Sequence, residues 1–333
     1  MSDVSPLAPA ASSRYREAAR RLALSAGLSV LMVGLLAVIA SNQPIATMRA
    51  FFVTPFQSSH VLFSMLEASA PLMLCALGAL VAFRSGHFSL GGKGQLYTGI
   101  MAAAWAGSVL PGGGLGMLVA MLAAMAGGML IALPVAIGKR LWQADVLLLS
   151  FLVSQGSLHA VDWAIAGPLR DTSNNLVAMK TLPAATLLPR LFPPSVLSAA
   201  LFFALFVSLA LWLFLSKTRT GTALCLYGKN PVFASLMAFP VRAFAFWPIL
   251  AGGALHGLAA SFMVLGPAGT AFRGASSGLG WSAIGVSLIA GNEPLAVPLA
   301  AILFAWLDSG ARQAAIWSDL PPDAAMLIKA AVL

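Results

Sequence analysis

The chain has 333 residues, 59% of them hydrophobic and only 9% charged, with a mean hydropathy of +0.90 and a formal net charge of +9. Soluble domains carry about 25% charged residues, so this composition excludes a protein that covers itself with a water-facing surface. It also excludes a transmembrane barrel, whose short alternating segments are missing, and the scatter of the basic residues excludes a nucleic-acid groove.

Arg14, Arg16, Arg20 and Arg21 precede the first apolar run, residues 22–40. Basic residues ahead of an apolar core mimic a signal peptide. The core is long, however, and no small-residue cleavage site follows it, so a retained helix is expected. Residues 1–21 then form a cytoplasmic N-terminal segment and 22–333 a single transmembrane domain. Residues 41–60 are mixed, and Phe51, Phe52 and Phe56 suit the outer membrane interface.

Further apolar runs cover about 61–83, 95–110, 115–138, 144–166, 196–216 and 243–265. Shorter pieces lie near 279–291, 295–311 and 323–333, the last long enough for only half a bilayer. Because roughly 20 apolar residues cross a membrane as helix, the expected fold class is an all-α polytopic membrane protein with about 8–10 transmembrane helices. With the N-terminus inside, Lys139-Arg140 and the acid-free stretch 217–242 also fall inside, as the positive-inside rule requires. The polar, proline-bearing segment 167–194 is then an outer loop.

Cys75 lies in a span and Cys225 in a cytoplasmic loop, so no disulfide is expected. His60, His87, His159 and His256 share no metal-ligand spacing, and neither a metal nor a cofactor is expected. Gly253-x-x-x-Gly257 predicts close helix packing in lipid.

Between the second and third runs stands FRSGHFSLGGKGQL, residues 83–96. Gly86 and Gly91 have the separation of a phosphate-binding loop, but Gly92 occupies the lysine position and no hydroxyl follows Lys93. That reading fails. Two others stay open. One is an interrupted helix near 84–94, with polar groups beside a solute path. The other is an ordinary cytoplasmic turn between spans.

Phe83, Arg84, Gly86, Phe88, Gly91, Gly94 and Gln95 resemble the F-R-A-G-x-F-N-I-G-A-E-G-Q motif of ATP-binding cassette importer permeases. The branch is the nucleoside (basic membrane protein-linked) one of the branched-chain amino acid/ribose/nucleoside superfamily. Ser89 replaces the usual Asn and Lys93 the usual Glu. Thr218–Gly221 with Tyr227–Pro231, Gly252–Gly266, and Ser277–Trp281 with Ala283–Pro294 resemble later motifs of the same family, in the same order. Ala144-Asp145-Val146 departs from the family's Asn-Glu-Val.

The resemblance implies a permease without catalytic chemistry in the bacterial cytoplasmic (inner) membrane. Its implied partners are an ATPase subunit with two nucleotide-binding domains, a second, related permease forming a heterodimer, and a periplasmic or lipid-anchored solute-binding protein. The implied solute is a nucleoside or purine-like compound. A sugar, another metabolite or, through Lys93, an anionic ligand stays open. The expected path residues are Phe83, Phe88, Ser89, Lys93, Gln95 and Trp281. The expected coupling segment is 217–236, with Thr220, Gly221, Gly228, Asn230, Phe233 and Leu236. In it Gly221 and Gly228 would form tight turns, and Phe233 and Leu236 would touch the ATPase. The competing reading is an ion-coupled secondary transporter that uses acids such as Glu67, Asp145, Asp162 or Asp308 as relays.

Overall fold

The computed structural model describes residues 11–110, 112–173, 175–193 and 195–318; the apolar piece expected at 323–333 lies outside them. The described residues are almost entirely helical, with isolated bridges at Ala178–Phe272 and Arg190–Ser198 in place of strands. In chain order the helices are α1 (Ala11–Ala40), α2 (Pro44–Phe52), α3 (Thr54–Gln57), α4 (Ser59–Arg84), α5 (Gly92–Val109), α6 (Gly114–Trp142) and α7 (Val146–Ala166). After an irregular segment follow α8 (Ala200–Lys217), α9 (Arg219–Lys229), α10 (Pro231–Leu236), α11 (Val241–Phe244), α12 (Trp247–Met263), α13 (Leu279–Ile289) and α14 (Val297–Trp317).

Among the described residues, seven helices are long and apolar enough to cross a membrane. The eighteen-residue α5 and the eleven-residue α13 pack in the same bundle. Helix α1 runs unbroken across the expected boundary at residue 21.

Helix α12 is the hub. A methyl group added at Gly257 would strike the backbone of Met125, and one at Gly253 the Gly128 carbonyl, so α6 and α12 approach at backbone distance through the expected small residues. Gly78 of α4 lies against Gly252 while Glu67 lies against Gly266, so α4 runs antiparallel to α12. The α5–α6 hairpin places α5 parallel to it, and α12 therefore separates α4 from α5.

At its far end α12 continues into a π-helical turn over Val264–Ala268, where Gly266 has non-helical torsions and Pro267 cannot donate a helix bond. The 167–199 segment closes over this bend: Met179 N donates to Ala271 O (2.8 Å), Leu182 N to Gly269 O (2.8 Å) and Leu188 N to Leu265 O (2.7 Å). From there the chain descends along α5, where Gly274 N donates to the Tyr97 hydroxyl at 2.9 Å. At the start of α13 Gly280 sits so close to Lys93 that a methyl there would lie 2.6 Å from its Cα.

Phe51 is fully buried rather than interfacial; it packs edge-on to Phe52 (5.1 Å) and Trp306 (6.4 Å), fixing α2 to α14.

Candidate functional site

The segment 85–91 is the helical interruption expected near 84–94, and it links two antiparallel helices. Helix α4 ends in a Schellman arrangement: Gly86 N bonds to Phe83 O at 3.0 Å and His87 N to Ala82 O at 2.9 Å, with Gly86 left-handed at φ +75°. The chain then climbs back into the bundle before α5 begins. The buried His256 imidazole marks the height regained, because methyl groups at Gly78 and at Gly92 would lie 2.7 and 2.6 Å from its Nδ1 and Nε2. Gly78 and Gly92 are thus level. Arg84, six residues beyond Gly78, lies about 9 Å nearer the α9 end at 1.5 Å per residue.

A chain that re-enters a bundle exposes backbone donors that need acceptors. Helix α7 supplies them. Ser150 Oγ accepts from Leu90 N (2.9 Å) and Ser154 Oγ accepts from Gly94 N (2.9 Å), and both serines are buried. They stand in for the absent side-chain N-cap of α5. Ser154→Ala is expected to destabilise the purified chain by about 1–3 kcal/mol by stranding the Gly94 N–H. Unfolding in mixed micelles measures this, and Ser154→Thr, which keeps a hydroxyl, should lose less.

The foot of the re-entrant segment is bolted to α9. A methyl at Gly86 would lie 2.8 Å from Gly228 O, and one at Gly228 would lie 2.8 Å from Gly86 N, so the two backbones touch. Gly228 and Gly221 are interior to α9 and form no turns, contrary to expectation; a methyl at Gly221 would lie 2.7 Å from Leu215 Cα of α8. Beside them the His87 ring lies 5.8 Å from Tyr227, and Ser85 Oγ lies 2.9 Å from His87 Nδ1. Burial, with the Lys139 charge second, lowers the His87 pKa to about 4, so the imidazole is neutral at physiological pH. Arg84 is also committed. Its Nη2 pairs with Glu293 Oε1 at 2.6 Å and its Nε donates to Asn292 O at 2.8 Å, which holds the turn before α14.

Helices α9 and α10 are each capped by the residue before them. Thr218 Oγ1 accepts from Gly221 N at 3.0 Å and Asn230 Oδ1 from Phe233 N at 2.9 Å. Thr220 is exposed. Beyond Asn230 the chain presents apolar side chains outward: Val232 is 69% exposed, Leu236 80%, and Phe233 and Met237 are exposed as well.

The six expected path residues do not surround one cavity. Phe83 and Phe88 stack on each other at 4.6 Å, and Phe83 borders a hollow of about 280 Å³ between α1, α4, α9 and the 291–293 turn. Ser89 and Gln95 face a crevice of about 10 Å³ beside His256, room for one water at most. Lys93 is half-buried beside Gly280, and the exposed Trp281 has its ring 6.4 Å from Phe151 of α7. A larger cavity, about 550 Å³, opens toward the other end of the bundle. It lies between α4, the bend of α12, the descending segment and α14, and Glu67, Thr270, Asp308 and Arg312 are in its walls.

Sequence reasoning missed Ser150 and Ser154, the Arg84–Glu293 pair and this cavity. Only the serines carried a signal: Ser150, Ser154 and Ser157 share one face of an apolar helix.

Residues 61–333 match the family described as the permease component of the branched-chain amino acid transport system. The chain is 31% identical over 312 residues to the probable riboflavin import permease protein of Treponema pallidum, covering 92% of this chain and 81% of the relative. It is 27% identical to the guanosine ABC transporter permease protein of Bacillus subtilis (91% and 88% covered) and 26% identical to the glucose ABC transporter permease protein of Haloferax volcanii (92% and 84% covered).

Proposed function

The chain belongs to the branched-chain amino acid transport permease family and is a multi-pass membrane permease component of an ATP-binding cassette importer for a small solute; from that premise we propose how it is driven and what it carries. Residues 217–236 dock on a separate ATPase subunit with two nucleotide-binding domains. The N-terminus and α9 face the cytoplasm across the bacterial inner membrane. A second, related permease completes the path as a heterodimer, and a solute-binding protein, periplasmic or lipid-anchored, delivers to the opposite face. The single transmembrane unit spans residues 22–333, with 1–21 on the cytoplasmic side.

One observation carries the docking reading: the backbone contact between Gly86 and Gly228. It supports a direct mechanical path in which a tilt of α9 moves the foot of the re-entrant segment, the start of α5 and, through Lys93 and Gly280, the top of α13. The exposed Phe233 and Leu236 give the ATPase an apolar purchase one short helix away. Phe83, Phe88, Ser89, Lys93, Gln95 and Trp281 line or gate the route that opens when these elements move. The solute is a nucleoside or a related nitrogen heterocycle, in keeping with the names of the riboflavin and guanosine relatives. A relay role for Glu67 finds no support, since its carboxylate accepts from Ser198 N (2.8 Å) and Ser198 Oγ (2.7 Å) at the start of α8.

Phe233→Asp with Leu236→Asp is expected to leave insertion intact and to reduce solute-stimulated ATP hydrolysis at least about tenfold, a charge in an apolar contact being strongly unfavourable. Hydrolysis and ATPase co-purification at the unmodified level would rule out α10 as the docking element.

A further inference from the structure

Tyr97 of α5 joins three elements. It is buried, and its hydroxyl donates to Asp162 Oδ1 of α7 at 2.5 Å while accepting from Gly274 N of the descending segment at 2.9 Å. The neighbouring Arg273 brings its Nε to 3.8 Å from the other Asp162 oxygen. The segment held in this way, residues 269–278, is one wall of the cavity of about 550 Å³, through Thr270, Phe272, Ala275 and Ser277. Its backbone is left-handed at Gly269 (φ +63°), Gly274 (+78°), Ser277 (+40°) and Gly278 (+75°). Glycine takes either sign of φ freely, so the segment has a swivel at each end and one beside the tyrosine. Ser277 lacks that freedom and is strained there. Along its length the segment is bonded to residues 177–182: Arg273 N donates to Val177 O (3.1 Å), Met179 N to Ala271 O (2.8 Å) and Thr270 Oγ1 to Met179 O (2.8 Å).

We propose that residues 269–278 are a gate of the cavity and that the Tyr97 hydroxyl is its latch. The lever is α5. Lys93, whose main chain touches Gly280, lies one turn from Tyr97 on the same helix face. A shift at the start of α5 therefore displaces the hydroxyl as well. A displacement of about 1 Å carries both of its bonds to the limit of hydrogen-bonding distance or past it. The gate and the loop bonded to it then turn together about the glycine swivels, and the strain at Ser277 is relieved. Tyr97 is a positioning residue, acting through Gly274 and Asp162. The inference rests on the coupling reading of α9 for the force that moves α5.

The test is thiol labelling in the complete transporter, with its ATPase, second permease and binding protein, in nanodiscs. Ala275→Cys places a thiol in the gate, where the residue borders the cavity and is only 4% exposed. A water-soluble maleimide reports access to it, read at position 275 by peptide mass spectrometry and so apart from Cys75 and Cys225. Labelling should be slow without nucleotide and at least about tenfold faster when Tyr97→Phe is added, the scale of a lost hydrogen bond to a charged group. A non-hydrolysable ATP analogue should speed labelling while Tyr97 is intact and add little in Tyr97→Phe. A merely structural tyrosine would leave that nucleotide response in place. Asp162→Asn keeps an oxygen for the tyrosine proton and should label slowly, whereas Asp162→Leu should label fast. Labelling at the unmodified rate in both Tyr97→Phe and Asp162→Leu would overturn the latch. So would equally fast labelling in Asp162→Asn, the mark of general loosening. Absence of a nucleotide response in every form would overturn the coupling reading instead, while the contrast between Asp162→Asn and Asp162→Leu still decides the latch.

Discussion

Gly228→Leu is expected to abolish ATP-driven transport while the protein still inserts in the membrane. The side chain at 228 would meet main chain rather than flexible side chains: Gly86 N at 2.8 Å and Ser85 C at 2.9 Å. Neither can yield by a rotamer change. Gly86 is itself fixed by the α4 terminus at φ +75°, a torsion that a larger residue adopts only under strain. The α9 helix must therefore move off its seat, and overpacking of this kind costs about 1–3 kcal/mol. The functional loss should be larger than the stability loss, because the displaced contact is the proposed transmission. Solute-stimulated ATP hydrolysis and uptake, measured together, should become uncoupled. Gly156→Leu is the control, since a side chain at 156 meets nothing within 4 Å. Full coupling in Gly228→Leu would show that force reaches the membrane by another route.

Arg84→Gln should be the most destabilising single change at the α9 end. The guanidinium pairs with Glu293 at 2.6 Å and also bonds the Asn292 carbonyl at 2.8 Å, and Glu293 is only 7% exposed. Removing it takes the arginine away from a buried carboxylate, a loss of at most about 3–5 kcal/mol. The double replacement Arg84→Met with Glu293→Leu should recover most of that loss, because the desolvation cost of both charges then vanishes. Denaturant titration of the purified chain in mixed micelles checks both results. A loss in the double variant equal to that in Arg84→Gln would mean that the arginine acts mainly through its bond to Asn292.

Much of the helical plan was legible because lipid leaves the backbone few options. A run such as 61–83 must be helix, and its observed extent, Ser59–Arg84, differs by only two residues at one end and one at the other. Within residues 217–236, Thr218 and Asn230 are residue types favoured at helix starts, and the structure uses both as caps of short helices. The depth of residues 85–91 was not legible. Hydropathy reports whether a segment can cross, not how far a polar link climbs between helices, and its acceptors, Ser150 and Ser154, lie sixty residues away from the donors they satisfy. The descending segment before α13 was hidden similarly, since Gly274, Ala275 and Ser276 read as any loop until Tyr97 is seen to hold it. The glycines of α9 misled in the opposite sense: composition suggested turns where the helix needed bare backbone.

The two hollows have a consequence for the barrier itself. One reaches Leu72 of α4 and the other Phe83 of the same helix. Along the helix these residues stand about 17 Å apart at 1.5 Å per residue, against a hydrocarbon thickness of roughly 30 Å. The stretch of α4 between the two hollows is therefore little more than half as long as the hydrocarbon layer is thick. If water fills both hollows, the membrane potential falls across that shorter span, and the electric field there is steeper than in the surrounding lipid.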